Sequence, residues 1–348
     1  MSGSGKLIHV AIVGSTGAVG REMLKLVEDR LGPHIGQLTP LASSRSSGSV
    51  VPFNGRACVV KTLDETSFEG VDVALFSAGG SISKEYGPIA AEAGAIVVDN
   101  SSAFRQDDDV PLVVPEVNRH AIAEAFTGRG IIANPNCSTI QMVVALKPLH
   151  DSADLRRVVV STYQSVSGAG RSGINELLDG TRALVNGGEE PPAERFAHPI
   201  AFNAVPHIDV FLDNGFTREE MKMVWETRKI MELPDLQISA TCVRVPVIRA
   251  HSEAVTAEFA SEMTADKARG LLLKAPGVAV VDKPSQAAYP LARNADGLDE
   301  TFVGRIRDDL DKADTIHMWV VSDNLRKGAA TNAVQIVEAL IEDGHLDQ

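Results

Sequence analysis

The chain has 348 residues, 44% hydrophobic and 23% charged, with a formal net charge of -13. That length exceeds one small core and predicts two domains, while the acidic balance excludes nucleic acid and anionic membrane surfaces, which need clustered cations. No apolar stretch reaches bilayer-spanning length, no signal peptide is visible, and three scattered cysteines (Cys58, Cys137, Cys242) make neither a disulfide framework nor a metal site, so a reducing cytoplasm is expected.

Residues 7–13 read as a buried parallel strand that runs into Gly14-Ser15-Thr16-Gly17-Ala18-Val19-Gly20. A helix with apolar positions Val19, Met23, Leu26 and Val27 follows. The G-x-x-G-x-x-G spacing departs from the usual dinucleotide fingerprint and also fits a plain tight turn. Its place between strand and helix favours a loop whose backbone approaches a pyrophosphate at a helix N-terminus. The second strand, 38–42, is edge-like because of Pro40 and ends in Ser43-Ser44-Arg45-Ser46-Ser47-Gly48. An NAD site carries an acidic residue near that point for the ribose 2′-hydroxyl; Arg45 among serines suits a 2′-phosphate instead, so NADP is the expected cofactor. Strands at 71–76 and 95–99 and a helix at 83–93 continue the alternation. It predicts a doubly wound, Rossmann-like parallel sheet with a crevice at the strands' carboxyl ends.

Residues 130–133 form a short apolar run and 140–146 a helical one, with Asn134-Pro135-Asn136-Cys137-Ser138-Thr139 between them. A thiol is thereby placed where a strand ends and a helix begins. Unpaired amides and the helix dipole favour its nucleophilic thiolate there. Beyond residue 150, long strand-like runs at 157–164, 238–247, 253–260 and 315–321 predict an α+β domain on a mixed or antiparallel sheet. Residues 189–193 read as a surface loop. His251, at the junction of two strand runs, is the leading acid/base residue. Glu219, Lys222, Glu226 and Lys229 stripe a helix over 217–231, and from spacing alone the stripe reads as a solvated face of ion pairs. The final helix, 329–342, is expected to pack back on the first domain. The division is thus 1–137 completed by 329–348 as the NADP-binding domain, and 138–328 as a second domain.

The segments GSTGAVG, SSRSSG, DNSSAFR, PNCST, YQSVSGAG, EEMK, CVRVPVIRAHSEAV and SDNLRKGAA, in this order and spacing, resemble the aspartate-semialdehyde dehydrogenase family over nearly the whole chain. The resemblance implies interconversion of aspartyl 4-phosphate and aspartate 4-semialdehyde with NADPH, feeding lysine, diaminopimelate, methionine, threonine and isoleucine synthesis. It implies Cys137 as nucleophile, His251 as acid/base, and Gln164 orienting the covalent intermediate. The Cys137 amide and the Asn136 side chain are expected to stabilise an oxyanion. Arg244 is expected to grip the α-carboxylate, Glu219 to lie near the α-amino group, and Arg105 and Lys222 to hold phosphate from the two domains. Ser15, Thr16, Gly17, Ala18, Val19, Arg45, Ser46, Ser167, Gly168 and Asn324 fall on cofactor-binding positions. A homodimer or homotetramer without a metal is implied, with 138–328 as the catalytic and dimerisation domain. The alternatives are an N-acetylglutamyl-phosphate reductase-like enzyme and a non-catalytic NADP-binding redox sensor.

Overall fold

A computed structural model describes residues 6–346, which divide into two units, one within Met1–Pro135 and Ala329–Gln348, the other within Asn136–Gly328. No helix among the described residues is long and apolar enough to cross a membrane.

The first unit opens with β1 (Ile8–Val13), whose apolar residues are buried on both faces of the sheet. Then come α1 (Ala18–Leu26), β2 (Ile35–Ala42), β3 (Val50–Phe53), β4 (Arg56–Val59), β5 (Lys61–Thr62), β6 (Val73–Phe76), α2 (Gly80–Glu92), β7 (Ile96–Asp99), α3 (Pro115–Asn118) and β8 (Ile131–Ala133). Six strands form a parallel sheet in the order β5-β2-β1-β6-β7-β8, so the winding reverses beside β1, next to the turn into α1. This is the expected Rossmann-like plan. The second strand starts at Ile35 and is not the sheet's edge, because β5 lies outside it. Yet β5 pairs only with Leu41 and Ala42, so at Pro40 the strand still borders no neighbour on that side. The β3–β4 hairpin was not anticipated, although Asn54-Gly55, both at positive φ, is a strong two-residue turn signal.

Close packing explains the glycine loop. Gly14 has φ +83°, and a Cβ on Gly20 would lie 2.2 Å from the Gly14 carbonyl oxygen. Helix α1 therefore sits on the turn at a distance only glycine permits. Gly17, its N-cap, provides no side chain to the first helical amides.

The second unit contains α4 (Cys137–Ala153), β9 (Leu155–Gln164), α5 (Gly170–Val185), α6 (Arg218–Ile230), β10 (Gln237–Arg244), β11 (His251–Phe259), α7 (Ala265–Leu272), β12 (Val278–Val280), α8 (Ala292–Ala295), β13 (Thr301–Asp308) and β14 (Thr315–Ser322). Its sheet runs β10-β9-β11-β14-β13-β12 and is mixed: the two outer pairs are parallel and the central ones antiparallel. One face carries Val158, Val160, Val255, Ala257, Ile316 and Met318 against Met142 and Leu146 of α4, Met223 of α6 and Leu272 of α7. Burying such side chains contributes about 1.5–3 kcal/mol each.

Several strand assignments differ from expectation. Strand β10 stops at Arg244, two residues before Pro246, and β11 starts earlier, at His251. Strand β13 was missed because its alternation breaks where the register shifts between Gly304 and Arg307, with Arg305 at φ 51°. The chain then returns to the first unit as α9 (Thr331–Glu342), whose Val334, Ile336, Val337 and Leu340 share a core with Val10, Ile12, Met23 and Leu26.

Gly20→Ala should destabilise the first unit by about 1–3 kcal/mol, because the added methyl meets backbone that cannot yield. A thermal melt checks this, and an unchanged midpoint would contradict the packing account of the loop.

Candidate active site

Cys137 is the first residue of α4, so its backbone belongs to the helix's opening turn. Asn136 caps that helix, its Oδ1 accepting from Ser138 N (3.1 Å) and Thr139 N (3.3 Å). The Asn136 Nδ2 donates to Glu219 Oε1 at 2.9 Å, and its backbone N–H donates to the Glu226 carboxylate. Both ends of this carboxamide are therefore engaged in fixing the thiol's position. One Nδ2 hydrogen remains beyond the one given to Glu219, so the cap does not use up the amide's donors. Gly328 lies against the cysteine, where a Cβ would come within 2.9 Å of Cys137 Cβ.

Sheet register assembles the rest. Arg244 on β10 pairs with Gln164 on β9. On β11, His251 stands beside Ser322 of β14 and one position beyond the Ser252–Tyr163 pair, which continues the same row. Three residues far apart in sequence thus end their strands side by side on the buried face. Gln164 Nε2 donates to Glu219 Oε1 (3.2 Å) and Thr162 Oγ1 (3.3 Å). The Arg244 guanidinium donates from Nη1 to Ser165 O (2.8 Å) and lies 5.7 Å from the centroid of the Phe196 ring. Burial lowers its pKa, and the Glu219 charge opposes that.

His251 Nδ1 accepts the Ser165 N–H at 3.1 Å, which leaves the neutral ring's proton on Nε2. That nitrogen is buried without a hydrogen-bond partner, so a donor is held ready for a ligand. Burial first, then the Arg244 charge, lowers the His251 pKa to about 3, so the imidazole is neutral at ordinary pH. Ser165 Oγ and Ser167 Oγ lie 3.0 Å apart and 3.1 and 3.0 Å from Asn324 Oδ1, so the two hydroxyl protons are shared over these three contacts. That network holds the loop after β9, and Ser165 was missed from sequence because its partners lie far along the chain.

The helical stripe is not a solvated face. Glu219 and Glu226 are buried, and Lys222 Nζ bridges Glu219 Oε2 (3.0 Å) and Asp209 Oδ2 (2.9 Å). Burial raises the Glu219 carboxyl, but the Lys222 charge and hydrogen bonds from Asn136, Lys222 and Gln164 outweigh it and hold the pKa at about 2. Helix α6 is set by a Thr217/Glu220 capping box, and Glu220 Oε1 also accepts from Cys242 N (3.0 Å). Glu219, Lys222 and Arg244 line a cavity of about 530 Å³ with Gly168, Arg195, Phe196, His207 and Asp209. The last four were not anticipated, since their segment shows no periodicity.

The nucleotide positions lie in the first unit except Ser167, Gly168 and Asn324. Thr16 Oγ1 and Ser46 Oγ are 3.5 Å apart, which brings the serine loop carrying exposed Arg45 against the glycine loop. Gly17, Ala18 and Val19 form the helix's first turn. The glycine-only turn and a helix start without a side-chain cap fit a nucleotide pyrophosphate. Ser15 is different: its buried hydroxyl donates to Leu41 O at 3.1 Å, so it braces the turn. Arg105 donates from Nε to Asn134 O (2.9 Å) and from Nη2 to Asn100 O (3.0 Å).

A nucleotide-binding α/β unit followed by a sheet unit presenting cysteine, histidine and arginine is the plan of the semialdehyde dehydrogenases. Residues 9–125 match "Semialdehyde dehydrogenase, NAD binding domain" and residues 146–327 match "Semialdehyde dehydrogenase, dimerisation domain". The chain is 56% identical over 337 residues to the aspartate-semialdehyde dehydrogenase of Aquifex aeolicus, covering 97% of this chain and 98% of that one. Aspartate semialdehyde dehydrogenase II from Vibrio cholerae, solved complexed with ASA, superposes with TM-score 0.93 at 49% identity, covering 97% and 99% of the two chains. The Candida albicans enzyme, solved with NADP, gives TM-score 0.75 at 26% identity over 97% and 99%. The chain belongs to the aspartate-semialdehyde dehydrogenase family of oxidoreductases.

Gly328→Ala should push Cys137 out of place and lower turnover about a hundredfold while the fold persists. Steady-state kinetics beside a circular dichroism spectrum would show it, and full activity would mean the contact is slack.

Acid stability should follow two lowered pKa values. Below pH 6.5 the unfolded chain protonates His251 while the folded one does not until about 3. Stability therefore falls across that window, by up to about 1.4 kcal/mol per pH unit. Glu219 contributes stability above 4.5 that is lost as pH falls toward 2. His251→Asn should flatten the loss between pH 6.5 and 3, and Lys222→Met should shrink or reverse the Glu219 loss below 4.5. Urea titrations at several pH values test both, and parallel curves for all three proteins would refute the assignment.

Proposed function

We propose that this protein reduces L-aspartyl 4-phosphate to L-aspartate 4-semialdehyde, reversibly, through a thioester on Cys137. The observation that carries this reading is the ionised, buried Glu219 carboxylate in one cavity with Arg244. An amino acid's α-ammonium and α-carboxylate match that pair, with Arg244 binding the carboxylate through its planar fork. An N-acetylated substrate has no ammonium to offer Glu219, which disfavours the acetylglutamyl alternative. A redox sensor needs neither group.

In the reductive direction the Cys137 thiolate attacks the acyl phosphate, and phosphate leaves as the thioester forms. NADPH supplies the hydride when bound. His251, through Nε2–H, stabilises the alkoxide formed at the thioester carbon, and expulsion of the Cys137 thiolate releases the aldehyde. Gln164 orients the thioester through its link to Glu219. Arg105 binds phosphate, and so does Lys222, which has a third N–H beyond those given to Asp209 and Glu219. Arg45 beside the glycine loop supports NADP over NAD as cofactor, and Thr16 and Ser46 complete its pocket. We also read the protein as a cytoplasmic homodimer; the dimerisation-domain match and the exposed Tyr163 on the second sheet support the dimer. Its product would feed lysine, diaminopimelate, methionine, threonine and isoleucine synthesis.

The test is NADP reduction with aspartate semialdehyde, with and without phosphate. Phosphate-dependent turnover is expected, with no turnover of N-acetylglutamate semialdehyde; the opposite preference would overturn the reading. Arg45→Ala should raise KM for NADP about tenfold or more and leave NAD unaffected, since a charged hydrogen bond of about 1.5–3 kcal/mol is lost only for the 2′-phosphate. Equal losses with both cofactors would make Arg45 structural.

A further inference from the structure

Two residues along β11 from His251 stands Glu253, completely buried on the same face of the sheet. It pairs in register with Thr162 on β9 and Val320 on β14, and Cys242 lies beyond Thr162 on β10. This row lies directly beneath Arg244, Gln164 and His251. The polar group acting on the Glu253 carboxyl is the Gln141 carboxamide. Gln141 is itself fully buried, and it lies one helical turn from Cys137 on the same face of α4. Neither oxygen of Glu253 and neither polar atom of Gln141 completes a hydrogen bond. Four such buried atoms are costly to a fold unless they serve one another.

We propose that Glu253 is a positioning residue for the Cys137–His251 pair, acting as a neutral carboxylic acid joined reciprocally to Gln141. Its O–H donates to the amide oxygen and the amide N–H donates to its carbonyl oxygen, so all four atoms are satisfied together. A carboxylate has no proton to give and would leave the amide oxygen unpartnered. The link ties the strand that begins with His251 to the helix that begins with Cys137. Burial favours the protonated form and outweighs the Gln141 amide, which acts the other way, so the Glu253 pKa rises well above the carboxylate range. The groups facing it from β10, β9 and α4 are the Cys242 thiol, the Thr162 hydroxyl and the Gln141 amide, none of them cationic, and His251 on its own strand is neutral. Burial likewise pushes the Cys242 thiol up, so it brings no charge. An ionised Glu253, roughly 7 Å along the strand from His251, would draw a proton onto the imidazole.

The role rests on Cys137 and His251 being the reacting pair, so the test includes a readout independent of that reading. The infrared difference spectrum between the wild type and Glu253→Gln at neutral pH should show a protonated carboxylic acid carbonyl band that the variant lacks. Glu253→Leu should lower kcat for semialdehyde oxidation about tenfold or more at unchanged KM. Glu253→Gln should recover kcat to within about threefold of the wild type, because two amides can pair in the same reciprocal way. The proposal is overturned if the acid band is absent, if Glu253→Gln is as slow as Glu253→Leu, or if Glu253→Leu keeps full kcat. An acid band in a protein without phosphate-dependent turnover would overturn the proposed activity and leave the Glu253–Gln141 pair standing.

Discussion

One buried charge organises the second unit. The Glu219 carboxylate accepts from Asn136 at the start of α4, from Gln164 at the end of β9 and from Lys222 on its own helix. Removing a carboxylate from water costs several kcal/mol, and it stays ionised only because a full charge and several hydrogen bonds converge on it. Those partners belong to the elements that carry the thiol, the sheet row and the cavity wall. Holding the charge therefore means holding the geometry, and a ligand ammonium would find its counter-ion already fixed.

The sheet register does the complementary work. Along the buried face the rows change from Ala240, Val160, Val255 and Met318, through Cys242, Thr162 and Glu253, to Arg244, Gln164 and His251. Apolar rows anchor the sheet to its helices, and polarity rises toward the strand ends that bear the chemistry. Because side chains alternate with period two, a one-residue slip in any of these strands would turn its site residue to the opposite face. The same interior keeps His251 neutral, with Nδ1 occupied by Ser165 and Nε2 held for a ligand.

Much of this was legible in the chain itself. The glycine loop after an apolar strand, the helix opening at Cys137 and the alternation of strands and helices up to residue 133 are local patterns, and the structure has them. Spacing alone misjudged the α6 stripe, because i,i+3 charges look alike on a wet face and in a buried cluster; only tertiary packing distinguishes them. The cap formed by Asn136 was not read from the sequence, although an Asn just before a helical run is a common N-cap. The roles of Ser165, Gly328 and Glu253 were invisible because they depend on contacts between elements far apart in sequence. The missed hairpin differs, since Asn54-Gly55 announced it and the surrounding short strands hid it.

The central claim is that Cys137 carries the acyl group, and it is tested most directly by mass spectrometry of the protein mixed with aspartate semialdehyde and NADP in the absence of phosphate. The account predicts one NADPH formed per site and an aspartyl mass increment on the peptide containing Cys137, discharged when phosphate is added. An increment on Cys58 or Cys242, or NADPH formation with Cys137 unmodified throughout, would contradict it.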